Sequence, residues 1–87
     1  MELPPPDTPL YNHPLPQIEE WLRAKGCRQD NYNPSIWYVD TPQWSAELIM
    51  DVEDIRVRYA SGDRDIWRAF PYSLSRQDIE DAIFSGP

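Results

Sequence analysis

Cysteine is almost missing from these 87 residues. Cys27 stands alone, so no internal disulfide can form. With His13 as the single histidine, the ligand set of a structural zinc is lacking too. A lone thiol fits a reducing compartment. Glycine occurs three times, and no Gly-rich phosphate loop, internal repeat or heptad is present. No apolar run approaches the ~20 residues that span a bilayer. The N-terminus shows neither the basic start nor the apolar core of a signal peptide, so a cytoplasmic location is expected. Basic residues are scarce, eight against fifteen acidic ones, for a net charge of −7. Phosphate backbones and anionic lipid repel such a surface, which disfavours nucleic-acid binding. It suits solubility, or a basic protein partner.

What is present is aromatic. Four Trp, five Tyr and two Phe occur in one short chain. A single domain of this size buries only a little over ~60% of its unfolded surface. Side chains that bury roughly 150–250 Å² each are therefore expected to carry the core.

Proline is concentrated at the start. Pro4, Pro5, Pro6, Pro9 and Pro14 fall within residues 1–14 and predict an extended arm with polyproline II character, ahead of a single α+β domain over residues 15–87. Pro6 and Pro9 have a PxxP spacing, but no basic residue flanks it. An arm lying along its own domain, anchored by Leu10 and Tyr11, is the preferred reading over a ligand for an aromatic groove.

Pro16 opens a predicted helix, with Glu19 and Glu20 toward its positive end, Arg23 and Lys25 toward the other, and Gly26 as terminator. Ile18, Trp21, Leu22 and the stem of Lys25 form its buried stripe. Arg28 to Pro34 is polar and turn-rich. The period then changes from 3.6 to 2. Four strands are expected: Ser35 to Asp40, Trp44 to Val52, Ile55 to Tyr59, and Asp65 to Tyr72. The last stretch, Leu74 to Pro87, reads as a second helix with both ends marked. Ser75 is its N-cap, Asp78 a capping-box partner, Leu74 and Ile79 a hydrophobic staple, and Gly86 with Pro87 its close. The resulting architecture is α-β-β-β-β-α: an antiparallel four-stranded meander with both helices on one face, a two-layer sandwich.

No catalytic signature appears. A His13–Cys27 pair has no spacing that suggests a nucleophile and base, and Cys27 reads as a small buried apolar group. Asp51, Glu53 and Asp54 in one turn, with Asp63 and Asp65 in another, lack the spacing of a calcium loop. No cofactor or metal is expected.

Alternation leaves large groups on the sheet face away from the helices. Glu47 and Asp51 would face Arg56 and Arg58 there, together with Ile49, Trp67 and one of Trp37 and Tyr38. Exposed apolar groups beside arginine mark partner surfaces. The expectation is a non-enzymatic interaction module, a small acidic adaptor or assembly factor that docks a protein through Trp37, Tyr38, Ile49, Arg56, Arg58 and Trp67. The alternative is a small-molecule binder or minor enzyme near His13, using Tyr11 and the acidic pair Glu80-Asp81. Homodimerisation through the same face or an unpaired edge strand is a third possibility.

Two stretches are distinctive: Asp7-Thr8-Pro9-Leu10-Tyr11-Asn12-His13-Pro14-Leu15-Pro16 with the helix ending Gly26-Cys27, and Leu74 through Pro87. Together they resemble a family of short cyanobacterial proteins catalogued as a domain of unknown function. The resemblance implies a cyanobacterial cytoplasmic or thylakoid-associated protein. It implies no activity and supplies no catalytic or binding residues.

Overall fold

The computed structural model describes residues 4–86; Pro87, expected to help close the second helix, and the first residues of the arm lie outside them. After a short 3-10 turn at Leu10–Asn12, the elements run α1 (Leu15–Ala24), β1 (Arg28–Gln29), β2 (Ile36–Asp40), β3 (Ser45–Met50), β4 (Asp54–Ser61), β5 (Arg64–Pro71) and α2 (Arg76–Phe84). The strands form one antiparallel sheet in the order β1-β2-β3-β4-β5.

The class is α+β, but the sheet has five strands where the periodicity predicts four. The extra one, β1, pairs Arg28 with Tyr38 and Gln29 with Trp37. Two residues are too few to show alternation; they become a strand because α1 ends immediately before them. That ending is a Schellman turn: Gly26 N–H donates to Arg23 O at 3.0 Å and Cys27 N–H to Leu22 O at 3.0 Å, with Gly26 at φ +87°. Cys27 takes the buried apolar position that follows such a turn.

α1 starts one residue before Pro16, so Glu19 and Glu20 lie beyond its first turn, outside the reach of the dipole term. Ile18, Trp21 and Leu22 are buried as expected, joined by Gln17, while Lys25 is exposed. β3 also ends early. Val52, expected to continue its inward face, is 89% exposed in the turn that follows.

The inward positions of the central strands alternate as the pattern requires. Leu48, Ile55, Val57 and Tyr59 are fully buried beneath the helices with Ile79 and Ile83 of α2. Tyr59 carries a hydroxyl into this core, and it donates to Ile83 O at 2.6 Å, one of the α2 carbonyls with no partner inside the helix. Trp44 stands edge-on to Tyr59 at 5.3 Å.

The arm packs on its own domain. α2 begins at Ser75, whose Oγ accepts from Asp78 N–H at 3.1 Å. Two more first-turn amides are taken by the arm: Arg76 N–H donates to Thr8 O at 3.0 Å and Gln77 N–H to Pro6 O at 2.9 Å. Proline offers a carbonyl and no amide, so this segment can cap a helix N-terminus without bringing an unpaired donor of its own. Leu10 N–H reaches Leu74 O, and Leu10 itself is fully buried. Leu74, expected as half of a staple, stays exposed.

Candidate docking face

The strand register fixes which side chains share the face opposite the helices. Arg28, Tyr38, Glu47, Arg58 and Trp67 occupy one straight row across all five strands. The next row holds Ile36, Ile49, Arg56 and Ala69. Both helices lie against the other face; on these rows Arg28, Arg56, Trp67 and Ala69 are exposed, while Ile36, Tyr38, Glu47, Ile49 and Arg58 are half-buried.

Trp37 does not belong there. It is 1% exposed, on the inner face, where the Arg23 guanidinium lies 5.3 Å from its ring centre. Alternation allows only one of two consecutive strand residues on a given face, and Leu48, the partner of Trp37 in β3, is in the core. Tyr38 therefore faces outward. Of the other indoles, Trp21 is buried and Trp44 packs against the core, while Trp67 is 57% exposed on the outer face.

Ion pairs organise the row. Arg58 Nε lies 3.7 Å from Glu47 and its Nη1 3.5 Å from Asp65. Arg56 Nε lies 3.4 Å from both Asp51 and Asp54. The Arg28 guanidinium sits 5.0 Å from the Tyr38 ring centre and 3.7 Å from Asp40. Each arginine thus has a carboxylate beside it, and five carboxylates surround three guanidinium groups. These exposed pairs are worth ~0–1 kcal/mol each and orient side chains more than they stabilise the fold.

The apolar groups of this face fall in two places. Tyr38 and Trp67 are three strand spacings apart, roughly 14 Å, with Glu47 and Arg58 between them. Ile36 and Ile49 lie opposite one another beside Tyr38, leaving Trp67 as a separate anchor near the β5 edge. That edge is guarded: Arg64 and Arg68 stand at inward-facing positions, and Pro71 ends the strand.

Tyr38 is held by its tip. Its hydroxyl donates to Asp30 Oδ1 at 2.8 Å, while Asp30 Oδ2 accepts the amides of Tyr32 and Asn33. The Tyr38 hydrogen bond, then those of Asn33 and Tyr32, hold the Asp30 carboxyl below its ordinary range. The same bond, with desolvation behind it, raises the Tyr38 phenol. Arg28 and Asp30 escaped the sequence pattern because the segment from Arg28 to Pro34 carries only turn signals.

The other candidates separate in space. His13 and Cys27 are both buried, in different settings, and burial pushes the Cys27 thiol up to about 11, far from a nucleophilic thiolate. Tyr11 and His13 line one groove, whereas Glu80 and Asp81 line another with Lys25, Phe84 and Ser85. Asp51 and Asp54 enclose Arg56 and leave no cation site. Among the described residues, no group of three or more His, Cys, Asp or Glu is placed to hold a metal, and no helix is long and apolar enough to cross a membrane.

A family model described as "Protein of unknown function (DUF3143)" matches residues 25–86, from the end of α1 through α2. The chain belongs to this family. All of the sheet, and with it the outer face, lies within the matched segment, while the arm and α1 precede it. No curated protein and no solved structure matches the chain.

Proposed function

We propose that this DUF3143 protein is a non-enzymatic interaction module, a small acidic adaptor or assembly factor that docks a protein partner through the outer face of its sheet. The observation that carries the reading is Trp67, an indole more than half exposed at one end of an ordered row of charged and aromatic side chains. Tyr38, Ile49, Arg56, Arg58 and Trp67 are the contact residues. An exposed Trp flanked by arginine is the usual composition of a binding hot spot. The carboxylate excess around the row suits a partner that presents basic side chains. By the resemblance of its end motifs, the proposal extends to a cytoplasmic or thylakoid-associated location in a cyanobacterium.

The test is affinity capture from native lysate of the source organism, with wild type, Trp67→Ala and Arg58→Glu compared side by side. A partner held by wild type and lost from both variants supports the proposal. Identical recovery by all three, or none by any, counts against it. Light scattering on the purified chain separates self-association: a dimer mass abolished by Trp67→Ala would reassign the face to a second copy.

A further inference from the structure

β5 is the last strand of the sheet, and its outer edge has no neighbouring strand among the described residues. The hairpin leading into it fixes which backbone groups are left free. Ser61 and Arg64 flank the two-residue turn Gly62-Asp63, so they exchange hydrogen bonds with one another, and every second pair beyond them does the same. Tyr72 N–H donates to Glu53 O at 3.3 Å just past the far end of the ladder, on the same alternation. Arg64, Ile66, Arg68 and Phe70 therefore direct their amides and carbonyls to β4. Those of Asp65, Trp67 and Ala69 point away from the sheet, one donor and one acceptor on each, and all three residues are exposed.

The inner side of this edge carries one sign of charge. Arg64 and Arg68 flank the half-buried Ile66 there, and both are exposed. Lys25, Arg28, Arg56 and Arg58 each have a carboxylate beside them, whereas among the described residues Arg64 and Arg68 have none. In a chain of net charge −7, these are two free guanidinium groups on an open strand edge.

They guard the edge against a second copy of the chain. With β5 paired antiparallel to its own copy, like faces together and Trp67 opposite Trp67, Arg68 lies diagonal to both Arg64 and Arg68 of the copy. A slip of two residues sets Arg64 opposite Arg68 in one direction and Arg68 opposite itself in the other. Like charges so placed repel. An acidic strand reverses the sign, because carboxylates at i and i+4 fall opposite Arg68 and Arg64.

We propose that β5 accepts an extended acidic segment of another protein as an added strand, held by the amides and carbonyls of Asp65, Trp67 and Ala69 and selected by Arg64 and Arg68. These arginines stand on the opposite side of the sheet from the docking face, which suits basic groups.

The experiment is a titration of the whole chain, followed by amide NMR, with a capped Ser-Glu-Thr-Val-Thr-Glu-Ser peptide. One control peptide has Lys in place of both Glu; another is N-methylated at both Thr, whose amides would face β5. The Glu peptide is expected to shift the amides of Asp65, Trp67 and Ala69 saturably, with Kd on the order of 1 mM. Both controls are expected to leave them unmoved. Arg64→Ala combined with Arg68→Ala should weaken binding about fivefold. Arg64→Glu combined with Arg68→Glu should exchange the preference, taking the Lys peptide in place of the Glu peptide. Both double variants leave Trp67 and Arg58 unaltered, so this result stands apart from that of the lysate capture. No saturable shift, equal binding of either control peptide, an unchanged preference in the Glu variant, or a wild-type dimer paired through the same amides would overturn the proposal.

Discussion

Trp21 Nε1 donates to Glu80 Oε1 at 2.9 Å across 59 residues of chain, tying the middle of α1 to the middle of α2. The indole is almost fully buried, and Glu80 also pairs with Lys25 Nζ at 3.1 Å. One carboxylate therefore joins the two helices that lie on the same face of the sheet. Glu80→Ala would leave a buried N–H unpaired and should cost ~1–3 kcal/mol, whereas Glu80→Gln keeps an acceptor and should cost less. Urea denaturation of both variants checks the order; equal losses would show that the hydrogen bond is not the operative contact.

The same residue sets a pH dependence. Burial pushes the Glu80 carboxyl upward, but the hydrogen bonds from Trp21 and Lys25, with the charges of Lys25 and Arg76, outweigh it and hold the group below its ordinary value. A depressed folded-state pKa gives stability that is present above the unfolded value and is lost as pH falls through the folded one. The stability gap between wild type and Glu80→Gln should narrow as pH is lowered through the carboxylate range. A gap that stays constant would contradict the assignment.

Deleting residues 1–8 removes the carbonyls of Pro6 and Thr8 from the start of α2. The loss is expected to be about 1–2 kcal/mol, the scale of a lost helix cap. Hydrogen exchange should report it locally, with the amides of Arg76 and Gln77 exchanging faster than those of Ile79 and Ile83. Unchanged protection at Arg76 and Gln77 would mean that the arm does not cap the helix.

Gly86 adopts φ +94°, and a Cβ built there would lie 2.6 Å from Trp44 Nε1. Gly62 has φ +61° with open space around it. Gly62→Ala carries only the backbone strain, ~1 kcal/mol, while Gly86→Ala adds displacement of an indole packed on Tyr59 and should cost clearly more. Thermal unfolding of the pair checks the difference.

Native Cys27 should resist a thiol reagent at neutral pH and react at the ordinary rate in denaturant, because burial holds its pKa at about 11. Its raised folded-state value stabilises the fold below the ordinary thiol range, and this contribution is lost as pH climbs toward 11. Cys27→Ala should flatten that part of the alkaline profile. Rapid labelling of the folded chain would refute the burial.

Much of the fold was legible in residue order. Leu48, Val57 and Tyr59 alternate strictly, and Ser75 sits where a helix start needs an acceptor, so local physics and the final structure agree there. β1 was not legible, since Arg28 and Gln29 acquire strand geometry only by pairing with Tyr38 and Trp37. For the candidate face, alternation required one aromatic of Trp37 and Tyr38 to point outward without saying which.

Sequence alone determined the class, the two helices, the inward alternation of the central strands and the exclusion of a disulfide or zinc framework, because each follows from a period of 2 or 3.6 or from a count of ligating side chains. Tertiary structure alone decided that Trp37 is core and Trp67 surface, that the proline arm caps α2, and that Glu80 grips Trp21 in place of joining His13. These outcomes depend on register and on contacts between distant segments. A one-residue change of register would reverse every facing on a strand, and nothing in the local sequence records which distant partner a side chain will meet.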